Sequence, residues 1–231
     1  MSCYNSSLFR VITWNLLLAM PIEPELSDTQ KNIINEAEKL FANRGYYGVS
    51  LRDISGSCGI SLNLIRYHFG SKDDLFRFAI QRRTKTMNRI MLSSLNKNIQ
   101  AAQGELSIYT VVSAYVTAFD VLNSKKHKWR NYLKLLIHCD SLTDKPELIK
   151  GLRQAYQIVF ESYVSAFERC GLSNKNANLA VYFMHTVVGQ SAVEVYSISH
   201  LSNNVCDPNN DPSHTDQKIR FIANGLLTLT D

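Results

Sequence analysis

The residues best placed to do chemistry in this 231-residue chain lie between Val49 and Phe76, and the chemistry they suit is non-covalent. Arg52, Asn63, Arg66, Tyr67, His68 and Lys72 supply charged and polar donors within twenty-one positions. A guanidinium such as Arg66 can pair bidentately with guanine and a carboxamide such as Asn63 with adenine, while Tyr67 and Lys72 suit phosphate oxygens. Covalent chemistry has no comparable candidate. The chain shows no Gly-x-Ser-x-Gly elbow, no phosphate-cradling glycine loop, no dinucleotide fingerprint and no His-Glu-x-x-His, and no motif pairs two carboxylates. An enzyme is therefore not expected.

Such donors work only if a compact element presents them. Ser50 with Asp53 reads as a capping box that opens a short helix, with Ile54 and Cys58 on its inner face. Gly59 stands where that helix must end and the chain must turn, a position that favours positive φ. Ile60 then plugs the turn and Ser61 caps a second short helix. In it Leu64 or Ile65, and then His68-Phe69, should return to the core, leaving Asn63, Arg66 and Tyr67 outward. Ser71 with Asp74 opens a long helix to about Asn98, and an earlier helix over 29–44 begins at the box Ser27–Gln30 and stops at Gly45. This is the grammar of a helix-turn-helix, whose second helix enters the major groove.

Charge agrees. Residues 28–95 hold 11 Lys/Arg against 6 Asp/Glu, so the whole net charge of +5 is matched by that one segment. Beyond Gly104 the spacing is helical and more apolar, over about 106–123, 128–140, 146–170, 175–200 and 216–229, with a polar stretch at 203–214. The fold class expected is all-α. Residues 27–95 would form a three-helix DNA-binding domain and 96–231 a second, helical domain, with the long helix joining them. Residues 1–26 read as an N-terminal extension, either an extra helix or sequence upstream of a true start at Met20. Leu8–Met20 is apolar but too short to span a bilayer.

The motif resembles the DNA-binding domain of the tetracycline-repressor (TetR) family. The resemblance rests on Ser50-Leu51-Arg52-Asp53-Ile54-Ser55, on Gly59-Ile60-Ser61 and Ile65, and on Tyr67-His68-Phe69-Gly70-Ser71-Lys72-Asp73-Asp74-Leu75. It covers residues 29–76, about a fifth of the chain. Ser55 departs from the usual alanine, and Leu62 and Leu64 stand where polar or small residues are frequent. By position the resemblance makes Arg52, Ser61, Leu62, Asn63, Leu64, Arg66, Tyr67, His68 and Lys72 the DNA-contact candidates, with His68 equally suited to a bond inside the domain. It implies a two-fold homodimer on double-stranded operator DNA, a repressor of transcription released by a small-molecule effector, with 96–231 as the effector-binding and dimerisation domain.

The second half carries residues for both of those roles. Phe183, Met184, Val187, Val188 and Ser191, followed by Phe221 and Ile222, make a broad apolar stripe suited to a dimer interface or to an intrachain core. Trp129, Tyr132, His138, Tyr156, Phe160, Tyr163 and Phe167 offer aromatic walls with polar tips for an apolar or aromatic effector. No cofactor and no metal is implied: the five cysteines have no zinc spacing, and adjacent His138 and Cys139 point to different faces of a helix. Reduced thiols suit a cytoplasmic protein without a membrane partner. The competing expectation is a helical ligand-carrier or protein-interaction module that kept the fold without binding DNA.

Overall fold

The computed structural model describes residues 26–103, 105–124, 128–193, 200–203, 205–206 and 211–230. The expected extension before residue 26 and part of the polar stretch at 203–214 lie outside them. Nine helices follow one another among the described residues: α1 Asp28–Arg44, α2 Leu51–Cys58, α3 Leu62–Phe69, α4 Lys72–Ala101, α5 Ile108–Ser124, α6 Lys128–Asp140, α7 Pro146–Arg169, α8 Asn174–Val193 and α9 His214–Leu227. No described residue lies in a strand, and no described helix is long and apolar enough to cross a membrane.

Local signals set the helix starts. Ser27, Ser50 and Ser71 each accept from the backbone N–H three residues on, and Gln30, Asp53 and Asp74 return the bond to the capping residue's own N–H. Such caps contribute about 1 kcal/mol each. Asp74 is held down to about 2, first by the Ser71 hydroxyl and N–H and then by Arg77. Its cap is therefore complete above the ordinary carboxylate range and fades only as pH falls through about 2.

Two apolar cores share the long helix α4. The first gathers Ile33, Ile34 and Phe41 of α1, Ile54 of α2, Ile65 and Phe69 of α3, and Leu75, Phe76, Ala79 and Ile80 of α4. Phe41 meets Phe76 edge-on at 5.0 Å. Each such fully buried side chain contributes about 1.5–3 kcal/mol. The second core takes over at Met87 and continues through Met91, Leu92 and Leu95 into α5, α7, α8 and α9. The division therefore falls between Ile80 and Met87, earlier than the expected boundary near residue 95. The reason lies on α4 itself, where the buried residues of the intervening turns include Arg83 and Thr84.

Those polar residues build a joint. Arg83 Nε and Nη2 donate to the two carboxylate oxygens of Glu38 at 2.9 and 3.3 Å, both side chains being almost wholly buried. The guanidinium also lies 5.6 Å from the Trp129 ring. Beside it the Tyr132 hydroxyl donates to the Ile80 carbonyl at 2.9 Å and sits 2.8 Å from Thr84 Oγ1. Breaking a buried pair strands the surviving charge. Glu38→Ala is expected to lower unfolding free energy by about 3–5 kcal/mol in urea titration, whereas paired replacement of Glu38 and Arg83 by methionine is expected to be far milder.

Three of the residues expected to line an effector site lie at or near this joint. Trp129 and Tyr132 face the joint, and His138 Nε2 lies 3.2 Å from the Ala42 carbonyl of α1. All three stand on α6, which packs along α1; Trp129 and Tyr132 are buried in the second core, while His138 turns to α1. The same packing sends Leu135, Cys139 and Leu142, with Leu148 and Ile149 of α7, into the first core.

Candidate nucleic-acid interface

The turn between α2 and α3 is held in three ways. Gly59 adopts φ +68° and ψ +27°, a left-handed conformation that costs a residue with a Cβ about 1–2 kcal/mol. Ser55 Oγ donates across the turn to the Ile60 carbonyl at 2.6 Å. Ser61 Oγ accepts from the Leu64 N–H at 3.2 Å and starts α3. Ser55, which departs from the usual alanine, is thus a staple across the turn.

With the turn set, helical periodicity decides what α3 shows. Ile65 and Phe69 are buried in the first core, so Leu64 is not the inward residue of that pair. Asn63, Arg66 and Tyr67 face outward, Tyr67 being 82% exposed. Leu62 and Leu64 are half-buried. His68 is half-buried too, its ring edge-on to Tyr67 at 5.1 Å and 6.3 Å from Phe69. Ser61 is exposed, with its hydroxyl engaged in the cap.

Beside this helix runs an open groove of about 600 Å³. Its walls include Ser50 and Arg52 at the start of α2, Leu62 and Arg66 of α3, Lys72 at the start of α4, and Tyr47 from the preceding loop. Arg52 is exposed, and the Lys72 ammonium sits 4.0 Å from the Tyr46 ring centre. Burial draws that ammonium below its ordinary value. Three cations converge on one concave strip with the N–H groups of the first turn of α2, while the Asp53 carboxylate in the same wall is engaged in capping Ser50, an arrangement suited to anionic oxygens. Tyr47 was not among the expected contacts. Of the tandem Tyr46-Tyr47 pair one ring is buried and the other 60% exposed, which no periodicity in a loop reveals.

The remaining candidates divide by depth. Tyr163 and Phe167 are fully buried, Tyr163 donating to the Met91 carbonyl at 3.1 Å. Tyr156 and Phe160 are half-buried against the second core. The Tyr156 hydroxyl closes a triangle with Tyr115 Oη (2.8 Å) and His185 Nδ1 (3.0 Å), and Tyr115 Oη lies 2.6 Å from the same nitrogen. Burial pushes the Tyr156 phenol up to about 12. Neither Tyr115 nor His185 stood out in the sequence. Of the expected interface residues, Met184, Val188 and Ile222 are buried in their own chain's core and Ser191 is half-buried. Phe183, Val187 and Phe221 are exposed, by 46%, 38% and 73%. Adjacent positions on α8 fall about 100° apart, so the single stripe splits into an inward row and an outward row.

A helical body carrying a short capped helix-turn-helix, with its second helix turned outward beside a cationic groove, is an arrangement suited to binding DNA. Residues 33–78 match the family model of the bacterial regulatory proteins of the tetR family, about a fifth of the chain. The chain is 26% identical over 119 residues to the biofilm operon icaADBC HTH-type negative transcriptional regulator IcaR of Staphylococcus aureus. That match takes in 52% of this chain and 56% of IcaR, so the chain spans about half the length of the curated relatives it matches. Two solved structures share the fold across nearly the whole chain. The ketosteroid transcriptional regulator KstR2 of Mycobacterium tuberculosis superposes with a TM-score of 0.59 at 12% identity, over 91% of this chain and 100% of that one. A TetR-like transcriptional regulator from Rhodococcus sp. RHA1 gives 0.59 at 15% identity, over 88% and 99%.

Proposed function

We propose that this protein is a homodimeric repressor that binds a palindromic operator through α3 and is released by a small molecule held in its C-terminal body. One observation carries the reading: Asn63, Arg66 and Tyr67 stand outward on a capped helix whose opposite face is locked into the core, next to a groove lined by Arg52, Arg66 and Lys72. Side chains presented in this way can reach base edges while the groove follows a phosphate backbone. The relative IcaR is named a negative regulator, which favours repression.

Two copies would meet through the outward rows of α8 and α9. Phe183, Val187 and Phe221 border an apolar groove of about 630 Å³ whose lining extends to Gly225, Leu226 and Leu229. Exposed apolar surface of this kind marks an interaction site. The effector would be apolar or aromatic, received among α5, α7 and α8 near Tyr156 and Phe160. The Tyr115–Tyr156–His185 triangle supplies hydrogen-bonding groups in otherwise apolar surroundings.

The test is fluorescence anisotropy of the full chain on duplexes from the DNA upstream of its own coding sequence, repeated across salt. Specific binding that weakens steeply between about 50 and 200 mM salt is expected. Equal, salt-insensitive or absent binding to every duplex would favour a ligand carrier instead.

A further inference from the structure

The loop between α6 and α7 comes from the body of the protein, yet it ends on the cationic groove. Leu142 is buried in the first core and anchors the loop there. Two residues later the exposed carboxylate of Asp144 accepts a hydrogen bond from the Tyr47 hydroxyl, and Tyr47 is a wall of the groove. The next residue reaches the neighbouring tyrosine and the start of α4. Lys145 Nζ lies 3.7 Å from Asp73 Oδ2 and 5.5 Å from the Tyr46 ring centre, while the Tyr46 hydroxyl donates to the other oxygen of Asp73. Consecutive residues of one loop thus hold consecutive tyrosines of the reading head, Asp144 directly and Lys145 partly through Asp73 at the start of α4.

We infer that Asp144 is an internal competitor for the DNA backbone, and that Tyr47 is a phosphate-contacting residue which Asp144 occupies in the DNA-free protein. The inference rests on the DNA-binding reading above and adds a control point to it. A phenol can donate its single proton to one acceptor at a time, a carboxylate or a phosphate oxygen. With the loop in place, the donor is taken and a negative charge stands beside a groove whose Arg52, Arg66 and Lys72 suit anionic oxygens. With the loop drawn back, the donor is freed and the charge withdrawn. Because α6 and α7 flank the loop, a rearrangement of the body can reach the groove by this route.

The experiment is a double-mutant cycle on the full chain, read as affinity for its upstream duplex at about 100 mM salt. Asp144→Asn is expected to tighten binding by about three- to ten-fold, and Tyr47→Phe to weaken it by about two- to five-fold. Glu147→Gln removes one exposed carboxylate three residues further on and should change affinity by less than about twofold. In the Tyr47→Phe background the tether is gone, so Asp144→Asn should gain less than about twofold. An Asp144→Asn gain no larger than that of Glu147→Gln, or one that persists undiminished without the Tyr47 hydroxyl, overturns the inference while the DNA-binding reading stands. If the unaltered chain binds no duplex and Arg66→Ala changes nothing, that reading falls and takes the competitor with it.

Discussion

Arg66→Ala is expected to abolish operator selectivity while leaving the protein as stable as before. The side chain is exposed on α3, so truncation removes no core contact and the melting temperature should move little. A bidentate arginine–guanine pair is worth about 1–3 kcal/mol of discrimination. The proposed two-fold dimer would lose it twice, so affinity for the operator should fall by roughly thirty-fold to twenty-five-thousand-fold. Binding to unrelated DNA should persist, because Arg52 and Lys72 still line the groove. Tyr67→Ala is expected to behave in the same direction, its ring being 82% exposed. Lys72→Ala should differ in kind, weakening all duplexes alike and reducing the salt slope. Anisotropy titrations on operator and scrambled duplexes separate the two patterns. An Arg66→Ala protein that still prefers the operator as strongly as before would remove α3 from the reading.

The second large effect concerns assembly. Replacing Phe183 and Phe221 together by glutamate places two carboxylates per subunit on the outward rows of α8 and α9, where the rings are 46% and 73% exposed. Sedimentation equilibrium should then report a folded monomer. Operator affinity should collapse with it, since one reading head has only half of the contacts. Met184→Ala is the contrasting case. Its side chain is fully buried within its own subunit, so the change should cost about 2–5 kcal/mol of stability while leaving the outward rows untouched. A Phe183/Phe221 glutamate variant that remains a dimer would place the subunit contact elsewhere.

Local chemistry made the helix-turn-helix legible before any coordinates. Ser27, Ser50, Ser61 and Ser71 announce four helix starts, and Gly59 the turn, because capping and positive φ involve only residues a few positions apart. The body was legible in its class and less so in its contacts. Periodicity shows that α6 has an aromatic side, but not that His138 turns to α1 while Trp129 and Tyr132 enter the second core, since that depends on contacts such as the one between residues 42 and 138. Glu38 within the apolar row Ile34-Ala37-Phe41 was the one visible sign of the joint, for a glutamate there must find a buried cation. The split of the α8 stripe was readable from its angular spread, though which row faced inward depends on where α5 and α7 lie. Tyr47 gave no sign, because its partner Asp144 is ninety-seven positions away.

The shared packing of the first core has a consequence for dissection of the molecule. Leu135, Cys139 and Leu142, with Leu148 and Ile149, complete that core from downstream in the chain. A fragment ending soon after Ile80 would carry Phe41 and Phe76 with part of their cover stripped away, and Glu38 without Arg83 unless α4 extended past it. Excised fragments of this length should show poorly dispersed amide resonances. Chimeras that graft this head onto a relative's body should fold only when the segment from Leu135 to Ile149 travels with it.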